Sequence, residues 1–325
     1  MNKLKTTYLG LDLRSPLIVS SSRLTSSLDH LKEAEECGAG AVVLKSLFEE
    51  QIMHSINAVQ VPAGYPEADD YIAYYTKSYS VDEYIELIGA AKKELSIPVI
   101  PSINCFSSEG WTEFAEKISD SGADALEVNV FFMPTDRKRS SAESEEVYFN
   151  LIEKLNKTVR IPMAFKIGPR FSNLLFMLDQ FYMRGLKGVV MFNRFYEPDI
   201  DVNKMEIVAA PIFSTAEERR YVLRWIAMAS AQDFKLDISA STGVRKGEDA
   251  VRYILAGASA VQVCSVLYQK GIPYLKTLNE EVSGWMDKMN FKSIGEFRGK
   301  LNWENYERPE VFERTQFMKY FSSLD

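Results

Sequence analysis

Apolar residues in this chain fall into short continuous runs, separated by longer stretches with helical spacing. Leu17-Ile-Val-Ser20, Ala41-Val-Val-Leu44 and Pro98-Val-Ile-Pro-Ser-Ile103 are the first three runs. Asp124-Ala-Leu-Glu-Val-Asn-Val130, Pro162-Met-Ala-Phe-Lys-Ile167 and Lys187-Gly-Val-Val-Met-Phe192 follow, then residues 236–240 and Ala260-Val-Gln-Val263. Strands this uniformly apolar are buried on both faces, as in a parallel sheet covered by helices. Helical spacing is predicted over 28–37, 80–95, 109–121, 143–157, 173–184, 216–229 and 247–255, so strand and helix alternate along most of the chain. The pattern predicts one α/β domain over 1–325, a (β/α)8 TIM barrel.

Three stretches depart from the alternation. Tyr8-Leu-Gly-Leu-Asp-Leu13 alternates as a strand and is expected to cover the barrel bottom as part of a hairpin. Residues 48–79, rich in Tyr, Pro and Asp, form an insert after strand two, read as a loop over the barrel mouth because it is too long for an ordinary connection. Residues 197–213 form an insert after strand six, with a hairpin as one form. A helical tail ends the chain.

Composition narrows the classes. The 325 residues are 46% hydrophobic and 26% charged with a net charge of −7, a soluble globular balance that argues against a nucleic-acid partner. The basic run Arg137-Lys-Arg139 stands beside Glu143, Glu145 and Glu146 and reads as a solvated loop. Cys37, Cys105 and Cys264 lack metal-ligand spacing, so no metal is expected, and scattered thiols suit a reducing cytoplasm. No apolar run reaches membrane-spanning length, and the polar opening is no signal peptide.

In such a barrel the strand C-termini converge at one mouth. Those ends carry Ser20 and Ser21, Lys45 and Ser46, Asn104, Asn129, Lys166 and Asn193. Strands seven and eight end in small-residue turns, Ser241-Thr242-Gly243 and Cys264-Ser265, at the usual phosphate position. Backbone N–H groups and helix N-termini are expected to cradle a phosphate there, with Gly243 kept small to leave the phosphate room. Small residues also permit plain helix–strand packing. Asparagine offers donor and acceptor to an amide-like edge, and lysine offers charge. Lys166 lies inside an apolar strand and needs a carboxylate or a ligand, with Glu127 a candidate partner. The same lysine also allows a Schiff-base aldolase.

These residues resemble the class 1, FMN-dependent dihydroorotate dehydrogenases over nearly the whole length. The resemblance runs from Leu9-Gly-Leu-Asp-Leu13 with Ser15-Pro16 through Leu44-Lys-Ser46, Glu127-Val-Asn129, Phe165-Lys166, Asn193 and Thr242-Gly-Val244. It continues over Ala256-Gly-Ala258, Val261-Gln-Val263 and Ser293-Ile-Gly-Glu-Phe-Arg-Gly-Lys-Leu301. It implies an FMN oxidoreductase that passes a hydride from dihydroorotate, or a related small anionic substrate, to flavin N5. It implies phosphate on Thr242, Gly243, Cys264 and Ser265, and Ser20 and Ser21 behind the flavin. Lys45, Ser46, Asn104, Asn129 and Lys166 would lie near the ring, and Asn129 and Asn193 at the substrate. A cytoplasmic homodimer is implied, with an electron-transfer partner subunit as one route for the electrons. A non-catalytic flavin-binding protein is the alternative within the family.

The departures fall on the substrate side. Where the family carries Ser-Cys-Pro-Asn, this chain reads Phe131-Phe132-Met133-Pro134, so Phe132 replaces the cysteine base. The family's loop after strand two is replaced by Val61-Pro-Ala-Gly-Tyr-Pro-Glu67, and Arg194 stands where a serine is usual. Thr135, Asp136 and Cys105 are alternative bases, with Arg137 placed to hold Asp136 outward. Phe131, Phe132 and Arg194 predict a substrate with an apolar face and an anionic group.

Overall fold

The computed structural model describes residues 2–48, 81–105, 112–130 and 132–314. The insert after strand two, the start of the third predicted helix, Phe131 and the Cys105 side chain lie outside the described residues.

Ten parallel segments form the central sheet: β3 (Leu17–Val19), β4 (Ala41–Val43), β5 (Leu47–Phe48), β6 (Val99–Ile100), β7 (Ser102–Cys105), β8 (Leu126–Val130), β9 (Met163–Ile167), β10 (Gly188–Met191), β13 (Asp237–Ala240) and β14 (Ala260–Val263). Their order is β5-β7-β8-β9-β10-β13-β14-β3-β4-β6. β4 and β5 are two lengths of one bent strand, as are β6 and β7 on either side of Pro101. Because β4 pairs β6 while β5 pairs β7, the two ends of this order are adjacent strands and the ring closes as an eight-stranded barrel. The predicted (β/α)8 fold is the one observed.

The barrel floor is plugged from below. β1 (Thr6–Tyr8) and β2 (Leu11–Leu13) pair antiparallel around Leu9 and Gly10, both with positive φ. A single strand over residues 8–13 is therefore corrected to a hairpin whose turn falls inside the alternating stretch; such tight turns need positive φ at both central residues. Asp237 holds the turn by accepting from the Leu9 N–H at 2.7 Å. Tyr8, Leu9 and Leu13 pack on Ile18, Val43, Ile100 and the small Ala41, Ala125, Ala164 and Ala260. The alanines leave room that the plug fills.

A larger apolar layer lies between the strands and the outer helices. These include α1 (Leu28–Glu36), α2 (Val81–Glu94), α3 (Thr112–Asp120), α4 (Ser141–Thr158), α5 (Leu174–Met183), α6 (Arg219–Ala229) and α7 (Gly247–Leu255). α4 starts on a capping box between Ser140 and Glu143, and α5 on the Asn173 side chain. The tail adds α8 (Ser265–Lys270), α9 (Tyr274–Lys288) and α10 (Glu310–Glu313).

The insert after strand six is the hairpin β11 (Pro198–Asp201) and β12 (Glu206–Ala209), which pair only with each other among the described residues. No helix among the described residues is long and apolar enough to cross a membrane.

Candidate active site

A cleft at the C-terminal mouth of the barrel holds about 700 Å³ of empty space, open mouth included, within the range of small-molecule and cofactor sites. Its wall brings together Ser20, Ser21, Lys166, Asn193, Thr242, Gly243, Cys264 and Ser265. The barrel geometry explains this convergence, since each residue lies at or just beyond the C-terminal end of a strand.

The other predicted residues stand beside the cleft. Asn193 Nδ2 donates to Asn129 Oδ1 at 2.9 Å, and Asn104 faces Asn129 across the β7–β8 register. Ser46 is tied to Ser21: their hydroxyls are 2.9 Å apart, and the Ser46 N–H donates to the Ser21 hydroxyl at 2.9 Å. Lys45 lies between β4 and β5, with its N–H donating to Thr25 O at 3.4 Å. Burial, with the Arg23 charge adding, holds its ammonium below the ordinary lysine value.

The cleft floor is a buried polar layer. Lys166 donates to Gln262 Oε1 at 3.0 Å and to the Ser20 hydroxyl at 3.1 Å. Its Nζ lies 3.6 Å from Glu127 Oε1, the carboxylate partner expected from the sequence. The Ser20 hydroxyl donates to Gln262 Oε1 at 2.9 Å, and Gln262 Nε2 donates to Glu127 Oε2.

The turn after β13 is held by its surroundings. The Tyr253 hydroxyl donates to Thr242 O at 2.6 Å and the Thr242 hydroxyl to Phe192 O at 3.2 Å. Thr242 and Gly243 both have positive φ. A Cβ at Gly243 would meet Arg219 Cβ and N at 2.9 Å. A side chain at this position would therefore crowd Arg219, whose guanidinium pairs with buried Asp249. α7 starts at Gly247, beyond the turn, so the donors next to this part of the cleft are those of the turn itself.

Ser214, unflagged by the sequence, completes the cradle. Its hydroxyl accepts from the Gly243 N–H at 3.2 Å and donates to the Ser265 hydroxyl at 3.1 Å, and its N–H donates to Ser265 Oγ at 3.1 Å. It follows the second insert, where no local pattern marks it. Gln262 was visible as a polar residue inside an apolar strand, the same signal that marked Lys166. Burial pushes the Cys264 thiol up, against the pull of the Lys166 charge and a Ser22 hydrogen bond, so it lines the wall as a thiol.

On the loop after β8, the Arg139 guanidinium lies 4.8 Å from the centroid of the half-buried Phe132 ring. Thr135 and Asp136 are exposed. Asp136 caps a turn by accepting from the Lys138 N–H at 2.9 Å, which replaces the expected restraint by Arg137. Arg194 borders the cleft, yet its donors go to Glu218 Oε2 at 3.0 Å, Ile212 O at 3.0 Å and Pro211 O at 2.6 Å. It clasps the base of the hairpin insert, which corrects its reading as a substrate-anion contact. Among the described residues no cluster of His, Cys, Asp and Glu could hold a metal ion.

A family model described as dihydroorotate dehydrogenase matches residues 3–286. Dihydroorotate dehydrogenase B (NAD(+)), catalytic subunit, of Thermoplasma volcanium is 25% identical over 92% of this chain and 98% of that protein. Dihydroorotate dehydrogenase (fumarate) of Lachancea kluyveri is 24% identical over 91% of this chain and 97% of its own length. Dihydropyrimidine dehydrogenase (NADP(+)), chloroplastic, of Arabidopsis thaliana is 24% identical over 91% of this chain and 76% of its own length. With a family match over most of its length, on a barrel of the expected kind, the chain belongs to the dihydroorotate dehydrogenase family.

Proposed function

We propose that this chain is an FMN-dependent oxidoreductase acting on the CH–CH bond of dihydroorotate or a related small anionic molecule. The observation that carries the reading is Lys166: a buried lysine in the floor of a cleft whose wall includes both small-residue turns. A flavin suits this donor set, because its phosphate matches hydroxyls and backbone N–H groups and its ring edge matches a cation. Thr242, Gly243, Cys264 and Ser265, with Ser214, would hold the phosphate. Ser20, Ser21, Ser46, Asn104, Asn129, Lys45 and Lys166 would surround the ring.

FMN, when bound, supplies a hydride acceptor. The chain's own part is to bind and orient. The joined amides of Asn129 and Asn193 offer a donor–acceptor edge to substrate, and Lys45 and Lys166 favour negative charge at the mouth. Phe132 cannot accept a proton, and the described alternatives on its loop are exposed. A misplaced base is costly for rate, so dihydroorotate is expected to be a poor substrate.

Phe132 favours one second reading, a flavin-binding member without catalysis. The aldolase reading loses ground: it needs a lone pair on Lys166, whereas the partners of Lys166 are acceptors and a carboxylate, an arrangement that holds a cation. Relatives named for NAD(+), NADP(+) and fumarate leave the electron acceptor open, and one is named a catalytic subunit. We place this chain in the cytoplasm, as a homodimer within pyrimidine chemistry, with room for an electron-transfer subunit carried by another polypeptide. Anaerobic mixing of the loaded protein with dihydroorotate and other small anionic dihydro compounds tests the reading. Slow bleaching by dihydroorotate and faster bleaching by another compound is expected. A loaded flavin that no compound reduces would leave the non-catalytic reading.

A further inference from the structure

Glu127 is a buried charge that the proposed chemistry leaves unused. It lies in β8 two residues before Asn129, one layer deeper than the cleft wall, and is 1% exposed. Its Oε1 accepts no hydrogen bond among the described residues and lies 3.6 Å from the Lys166 ammonium. Its Oε2 accepts from Gln262 Nε2. An amide with its nitrogen on a carboxylate must turn its oxygen the other way, and Gln262 Oε1 meets Lys166 Nζ at 3.0 Å. Glu127 therefore reaches Lys166 twice, by charge and through the orientation of one amide.

Among the described residues, Lys166 has no ion-pair partner other than Glu127. Its hydrogen-bond partners, Ser20 and Gln262, are neutral. In the plug beneath, burial and then the charges of Glu127 and Asp237 push the Tyr8 phenol well above its ordinary value, so it stays neutral. Lys166 is 7% exposed, and an ammonium buried without a counter-ion sheds its proton rather than bear the desolvation. We propose that Glu127 is a positioning residue that keeps Lys166 a cation at the cleft floor, by direct charge and by fixing the Gln262 amide. Only the redox consequence of this proposal rests on the FMN reading.

The first arm of the test needs no flavin. It is a double-mutant cycle of Glu127→Gln and Lys166→Met on the melting temperature of the full chain, since such cycles isolate a pairwise term. Each single variant should melt lower than wild type, and the double variant should lose less than the two losses combined; additive losses overturn the pairing. Should Glu127→Gln fail to fold, recovery in the double variant supports the proposal and continued failure overturns it. The second arm compares the affinities for reduced and oxidised FMN through the potential of the loaded protein. In Glu127→Gln the ratio should fall by at least roughly tenfold, about 30 mV for a two-electron couple, with Glu127→Asp close to wild type. A purely structural defect would weaken both redox forms alike. A ratio unchanged or raised in Glu127→Gln overturns the proposal, because the carboxylate would then only dilute the Lys166 charge. If wild-type protein takes up no FMN, the proposed function fails while the melting cycle still decides the pairing.

Discussion

Gly243 shows how one residue serves the fold and the site together. Its φ of +75° suits glycine, and an added Cβ would strike the Arg219 backbone and Cβ. Strain at such a position costs about 1–3 kcal/mol. Gly243→Ala is expected to lower stability in denaturant titration by that order, and a change within error would show that Arg219 gives way. The sequence marked this glycine but not its contact with Arg219, because Arg219 reaches it only through the packing of α6 on the turn after β13. Lys166 was legible for the opposite reason: a cation inside an apolar strand is costly wherever the strand packs, and its carboxylate partner lies in the adjacent strand β8. Ser214 was not legible, being one small polar residue after an irregular insert.

At the scale of elements, the hairpin of β11 and β12 stands apart from the barrel. Ile200, Val202, Met205 and Ile207 are all exposed, so burial of its own side chains fixes it weakly. Its base is held by Arg194, which bonds Glu218 and the carbonyls of Pro211 and Ile212. Arg194→Ala is expected to speed proteolysis within residues 197–212 with little change in the melting temperature, because local opening follows local contacts rather than the global core. Cleavage at the wild-type rate would show that the hairpin holds itself. The barrel strands were readable from the sequence, since both faces are buried and apolar runs mark them directly. The β1–β2 turn was obscured because Leu9, at positive φ, continues the apolar alternation through the turn.

For the whole molecule, buried tyrosines tie the plug, the outer layer and the cradle to the folded state. Burial, with the Glu145 charge adding, pushes Tyr148 up to about 12. Burial likewise raises Tyr253, which bonds the Thr242 carbonyl, and Tyr8 in the plug. For a phenol raised in the folded state, the stability is fully present below the unfolded value of about 10 and is lost as pH climbs through the folded value. Alkaline titration should therefore show a late fraction of tyrosinate absorbance that rises together with loss of helical circular dichroism. If all tyrosinate formed near the ordinary phenol value with the dichroism intact, these rings would be more open than their packing indicates. The barrel as a whole was legible because strand–helix alternation admits few architectures. The substrate side was less so: Arg194 reads as an anion contact until its three acceptors are seen.

The central claim is that the cleft between Lys166 and the turns at Thr242-Gly243 and Cys264-Ser265 holds FMN, and cofactor content measures this most directly. Purified full-length chain should show a flavin spectrum and release stoichiometric FMN on denaturation, and Ser214→Ala should lower that occupancy while leaving the melting curve of the flavin-free chain nearly unchanged. A folded chain that carries no flavin, and whose titration with FMN leaves the flavin fluorescence unaltered, would contradict the account.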